Sequence, residues 1–168
     1  MRTRTIYIIA ILCVLIGATA FSMIQLATSS SHSLGNFVLS ASGTAYDPKH
    51  HEKVDVILTV TGTAHGKQKV VINIVARGGS AQVENYGTFA LIKGHGLLIQ
   101  RCHFAFLHIK VTGGYYGGQT TNWNLRGHVG VLQNNAWPVT LSADRIRLPA
   151  QGARILHGLF LRGTIALN

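Results

Sequence analysis

The sequence predicts an all-β fold, an antiparallel β-sandwich of about eight strands with a closed β-barrel as the alternative, preceded by one N-terminal hydrophobic helix. Three observations predict it. Apolar and polar residues alternate with period two through most of the chain beyond residue 31, the spacing of strands with one buried face. Clusters of glycine, asparagine and other turn formers cut this pattern into short runs, as turns do in sandwiches and barrels. No run beyond residue 31 carries the 3.6-residue period of an amphipathic helix.

The clearest unit is residues 53–77. Val54, Val56, Leu58 and Val60 alternate with Asp55, Ile57, Thr59 and Thr61. A turn at Ala64-His65-Gly66-Lys67 leads to Val70, Ile72, Ile74 and Ala76, alternating with Val71, Asn73, Val75 and Arg77. Two such runs read as an antiparallel hairpin. Ahead of it lie a flexible linker over 28–33, a strand over 37–46 and the polar loop 47–52. After it, Gly78-Gly79-Ser80 reads as a turn into a strand over 81–93 with a break at Gly87, and Lys93-Gly94-His95-Gly96 as the next turn. Residues 97–111 continue as strand with apolar residues on both parities, the mark of a strand covered on both sides or of a bulge that switches faces. Gly113–Gly118 is a loop. In 120–132, Trp123, Leu125, Gly127, Val129 and Val131 share one face, and Asn122, Asn124, Arg126 and His128 the other. Gln133-Asn134-Asn135 supplies residues tolerant of positive φ for a hairpin turn. Strands over 137–143, extended by 145–148, and over 156–167 complete the set. The run Leu39-Ser40-Ala41-Ser42-Gly43-Thr44-Ala45 is echoed at 58–64 and in part at 161–166. A glycine at a fixed place near a strand end implies a bulge or a close approach of two backbones.

Residues 1–31 read as a signal peptide or N-terminal membrane anchor with a short linker, and 32–168 as an extracytoplasmic β domain. Arg2 and Arg4 precede an uncharged, mostly aliphatic run over 6–21, and Ala18-Thr19-Ala20 offers small residues for cleavage near Ala20. Continued through Met23, Ile24, Leu26 and Ala27, the run reaches about 22 residues, enough to span a bilayer. Secretion after cleavage and retention as a transmembrane anchor are the two readings. Both leave Arg2 and Arg4 inside and the domain outside.

Composition narrows the function classes. The 168 residues are 47% hydrophobic and 12% charged, which excludes disorder over most of the chain. Fifteen Lys and Arg against five Asp and Glu give a net charge of +10. Arg2 and Arg4 supply two of these charges, so the rest of the chain carries +8. Such a surface attracts acidic glycans, lipid headgroups or nucleic acid, and export disfavours the last. Of the two cysteines, Cys13 lies in the leader, so Cys102 has no internal disulfide partner in the β domain and reads as a buried thiol.

Three chemistries are candidates. His50 and His51, with Glu52 beside them, offer ligands for copper or zinc, and His65 and His95 join them if their turns share one end of the fold. Catalysis lacks a nameable residue set. The chain has five carboxylates, no Gly-x-Ser-x-Gly elbow and no phosphate-binding glycine loop. Surface binding rests on Tyr115 and Tyr116, which suit stacking on sugar faces, and on Arg126, Arg145, Arg147, Arg154 and Arg162, which suit phosphate or carboxylate groups. The leading expectation is a non-catalytic, exported and membrane-tethered module without a cofactor. It has an envelope-structural role or binds an anionic glycan, a lipid headgroup or a partner protein, with self-association open to it. A histidine-based copper or zinc domain is the alternative, and a hydrolase comes third.

Overall fold

The computed structural model describes residues 32–67, 71–101, 104–114, 120–148 and 154–168. The predicted leader helix, Cys102, His103, Tyr115 and Tyr116 lie outside the described residues. Eight strands run in order: β1 (His32–Asp47), β2 (Glu52–Lys67), β3 (Val71–Val83), β4 (Gly87–Arg101), β5 (Phe104–Gly114), β6 (Thr120–Val129), β7 (Ala136–Arg147) and β8 (Ile155–Leu167). Each pairs antiparallel with the next, and β8 returns to β1 to close an up-and-down barrel.

The closed barrel replaces the expected sandwich. Alternation describes one dry and one wet face, which both architectures share. What separates them is whether the first and last strands meet. Here Phe37 through Thr44 pair with Leu167 through Phe160, so the sheet has no free first or last strand. An eight-stranded barrel leaves an interior just wide enough for side chains to fill. Phe37, Leu39, Leu58, Ile74, Phe89, Leu107, Ile109, Leu125, Leu141 and Leu161 fill it, each with at most 2% of its surface exposed. Burying a Leu, Ile or Phe contributes about 1.5–3 kcal/mol, and this lining is the main source of stability.

The echoed glycines sit where backbones crowd. A Cβ on Gly43 would lie 2.0 Å from the Phe160 carbonyl oxygen, and one on Gly163 would lie 1.9 Å from that of Ser40. These contacts are reciprocal across the β1–β8 seam, where Gly43 pairs with Leu161 and Gly163 with Ala41.

Several expected turns fall elsewhere. Strand β2 runs on through Ala64, His65, Gly66 and Lys67, which pair with Ile74, Asn73, Ile72 and Val71. Gly94 and Gly96 lie inside β4, paired with Val111 and Ile109, where glycine relieves crowding instead of turning the chain. Gly78 and Gly79 lie inside β3, paired with Thr61 and Val60, next to a bulge at Arg77 where the register shifts at Thr61/Gly62. The real turn is Glu84-Asn85-Tyr86, with Asn85 at φ 64° and the Tyr86 N–H donating to the Val83 carbonyl at 3.0 Å. Alternation hides this turn because Ala81, Val83, Phe89 and Leu91 are all buried and all odd-numbered. The mixed parities of β5 resolve into an inward Leu107, Ile109 and Val111 and an exposed Phe106. The Asn134-Asn135 turn is present, at φ 48° and 62°. Val131 leaves the inward face because β6 ends at Val129, and it is 81% exposed.

Strand direction gives the barrel two unlike ends. The proximal end gathers His32, Lys67, Val71, Arg101, Phe104, the β6–β7 loop and Leu167. The distal end gathers Asp47, Glu52, Val83, Gly87, Gly114, Thr120, Arg147 and Ile155. Distally, β6 and β7 diverge, since they pair only from Arg126↔Ser142 to Val129↔Val139. The Trp123 indole N–H spans that divergence to the Arg147 carbonyl at 2.9 Å.

The crowding at the seam predicts that Gly163→Ala lowers unfolding stability by about 1–3 kcal/mol, the cost of overpacking. Urea denaturation measures it, and an unchanged midpoint would show that the seam is looser than described.

Candidate functional site: distal mouth and outer wall

Inward parity along β1 runs Phe37, Leu39, Ala41, Ala45 and then Asp47, so the last inward position at the distal mouth is a carboxylate. Asp47 is 1% exposed, and a buried charge survives only when fully partnered. Its Oδ1 accepts the Lys49 backbone N–H at 2.9 Å. Its Oδ2 accepts from the Tyr86 hydroxyl and from His50 Nδ1, the latter at 2.8 Å. Arg154, just before β8, donates to the Tyr86 oxygen at 2.7 Å and stands 3.7 Å from Oδ2. Its guanidinium also lies 5.3 Å from the Tyr86 ring centroid, a cation–π distance. Three connections of the distal mouth, from β1, β3 and β8, are thus tied through one carboxylate.

Burial by itself would raise the Asp47 pKa, but hydrogen bonds from Tyr86, the Lys49 amide and His50 outweigh it and hold the carboxyl well below the usual carboxylate range. Burial and the bond to Asp47 push the Tyr86 hydroxyl above its ordinary value, with Arg154 opposing. Sequence reasoning missed this cluster. Asp47, Tyr86 and Arg154 are separated by 39 and 68 residues, and the visible signal was an inward-parity carboxylate at the end of an apolar strand.

The four histidines named as metal ligands do not converge. His51, at φ 56°, turns to the Tyr46 hydroxyl at 3.3 Å. His65 lies near the proximal end of β2 and contacts the Thr63 hydroxyl at 3.1 Å. His95 sits midway along β4 in a groove with Lys93 and Lys110, a cationic setting unfavourable for a metal ion. Of the four, His50 alone joins a group of possible ligands, at the distal mouth, where ligand atoms of Asp47, His50 and Glu52 lie within 4.8 Å of one another. A cation there would have to share the Asp47 carboxylate with Tyr86 and Arg154.

The predicted basic stripe divides. Arg126, His128 and Arg162 are exposed on the wall formed by β6–β8, where His128 pairs with Thr140 and Thr140 with Arg162. His128, Thr140 and Arg162 line an open groove of about 370 Å³ together with Pro138, and the lining holds no carboxylate. The Arg162 guanidinium stands over the Phe160 ring, 5.3 Å from its centroid. Arg145 and Arg147 are exposed nearer the distal mouth, with Arg145 paired to His157. A second groove of about 350 Å³ holds Lys93, His95, Lys110, Thr112 and Asn122. Sequence reasoning passed over Lys93 and Lys110 because only the β4–β5 register brings them together.

Tyr86→Phe leaves the buried carboxylate short of one donor and is expected to cost about 1–3 kcal/mol. Because the folded pKa of Asp47 lies below its unfolded value, its contribution is complete above about pH 4 and declines as pH falls further. Asp47→Asn should therefore lower stability at pH 7 and flatten the loss of stability between about pH 4 and 2. Thermal melts across that range measure both effects, and parallel pH profiles for Asp47→Asn and wild type would contradict the assignment. A search against protein-family models, curated proteins and solved structures finds no match to this chain.

Proposed function

We propose that the chain is an exported, membrane-tethered, non-catalytic binding module that holds an anionic polymer, such as an acidic glycan, against its outer wall. The observation that carries this reading is the β6–β8 wall, where His128 and Arg162 line a groove without a carboxylate and Arg126 is exposed two residues along β6. Guanidinium groups on a rigid sheet present paired donors to carboxylate, sulfate or phosphate at little cost in ordering.

The rest of the structure supports a surface role. The interior is lined by apolar side chains, with Asp47 and Thr121 the buried polar residues among those described. Binding chemistry is therefore left to the wall and the mouths. Apolar-in and polar-out is also the reverse of a membrane-spanning barrel, which favours a wall in water with any tether in residues 1–31. The Asp47 cluster favours a structural latch over catalysis. A general acid or base works best with a pKa near the working pH, and Asp47 and Tyr86 are displaced away from neutrality in opposite directions.

One observation favours a second reading, a divalent copper or zinc site on Asp47, His50 and Glu52. Arg154, 3.7 Å from the shared carboxylate oxygen, competes with it.

Arg126→Ala/Arg162→Ala should weaken retention on sulfated or carboxylated polymers by about tenfold or more, given 1.5–3 kcal/mol per charged hydrogen bond. Arg145→Ala/Arg147→Ala should weaken it less. Affinity measured at several salt concentrations tests this. Equal retention by wild type and the Arg126/Arg162 variant would refute the wall as the binding surface.

A further inference from the structure

The proximal end combines three features that occur together nowhere else among the described residues. Its β6–β7 loop presents two aliphatic side chains to solvent, Val131 at 81% and Leu132 at 48% exposure. Beside it, an apolar row crosses three strands through the registers Val71↔Ile99 and Ile99↔Phe106. Val71 and Phe106 are both exposed, and the row ends on the edge of the His128 ring, 6.0 Å from Phe106.

Charge is the second feature. All five acidic side chains, Asp47, Glu52, Asp55, Glu84 and Asp144, lie on the distal side of their strands or in distal turns. The proximal strand ends instead carry Lys67 at the close of β2 and Arg101 at the close of β4. The third feature is covalent. The described barrel begins at His32, at this same end, so the 31 preceding residues join it there.

Exposed aliphatic side chains on a loop, basic strand ends and an absence of acidic side chains are the complement of one kind of surface, a bilayer with anionic headgroups. Aliphatic tips enter the headgroup–acyl boundary, and each basic residue near an anionic leaflet adds attraction. A protein partner would be expected to meet this end with mixed charge, and a sugar polymer gains nothing from Val131 and Leu132. We propose that the proximal end seats on an anionic lipid surface, with Val131 and Leu132 as the inserting tip. The barrel then stands upright, and its distal mouth, the end that holds the acidic side chains among basic ones, points away from the membrane.

This proposal is independent of the polymer-binding wall. Residues 32–168 form a compact unit of their own and close the barrel entirely among themselves. That segment can therefore be tested without residues 1–31, so that any binding cannot come from the leader. Its partition is measured by co-sedimentation with phosphatidylcholine vesicles, with and without phosphatidylglycerol.

The expected result is binding that requires phosphatidylglycerol and falls about tenfold or more in Val131→Ser/Leu132→Ser, given the transfer energy of two aliphatic side chains. Val131→Trp should strengthen it, and circular dichroism shows whether each variant stays folded. The gain-of-function variant keeps the test decisive if the serine pair weakens the fold. No binding to anionic vesicles, or binding unchanged in both loop variants, overturns the proposal. Loss in Arg126→Ala/Arg162→Ala with no loss in the loop variants also overturns it, because the wall and not the end would then be the lipid contact.

Discussion

The pairing of β8 with β1 is the constraint on which the rest of the molecule depends. Without it the eight strands would be an open sheet with two edges, and the inward faces would need a second layer to cover them. With it, Leu39, Leu58, Leu107, Leu141 and Leu161 cover one another across a single cylinder. The seam is close-set because each strand brings a glycine to it, Gly43 on one side and Gly163 on the other. The backbones can approach there as side chains would not allow.

Closure also decides where chemistry can be. An interior filled with aliphatic and aromatic groups leaves polar residues three places, the wall and the two mouths. The distal mouth uses its buried carboxylate to tie Tyr86, His50 and Arg154 together. In this way, a charge that would otherwise be costly becomes a fastening for three connections. The groove between β6 and β8 holds Arg162 in a lining without a carboxylate, and the proximal end keeps its aliphatic loop beside basic strand ends. Binding along the wall and seating at the proximal end are compatible, because they use different residues and different directions.

Much of the fold was legible in the sequence, since a dry face writes itself as alternation. The β6 pattern of Trp123, Leu125 and Val129 against Asn122, Asn124, Arg126 and His128 reads directly onto the observed burial. Turns were less legible. Glu84-Asn85-Tyr86 left only the break read at Gly87, because parity is preserved across it, and Gly94-His95-Gly96 looked like a turn because glycine serves crowding and turning alike. Barrel closure is a pairing between residues more than a hundred positions apart, which local periodicity does not encode. Of the candidate site, the exposed Arg126, His128 and Arg162 could be read from parity. The Asp47–Tyr86–Arg154 cluster and the Lys93–Lys110 groove could not, because each depends on which strands neighbour which. Tyr115 and Tyr116 fall outside the described residues.

The account stands or falls on the seam, and nuclear Overhauser contacts in the isotopically labelled 32–168 domain test it most directly. A closed barrel predicts cross-strand backbone contacts between the partners Leu39 and Ile165, Ala41 and Gly163, and Gly43 and Leu161. It also predicts slow amide exchange along β1 and β8, comparable to that of β2. Missing contacts between these pairs, together with fast exchange on the facing edges of β1 and β8, would mean an open sheet. The filled interior, and the surface-only function drawn from it, would then be wrong.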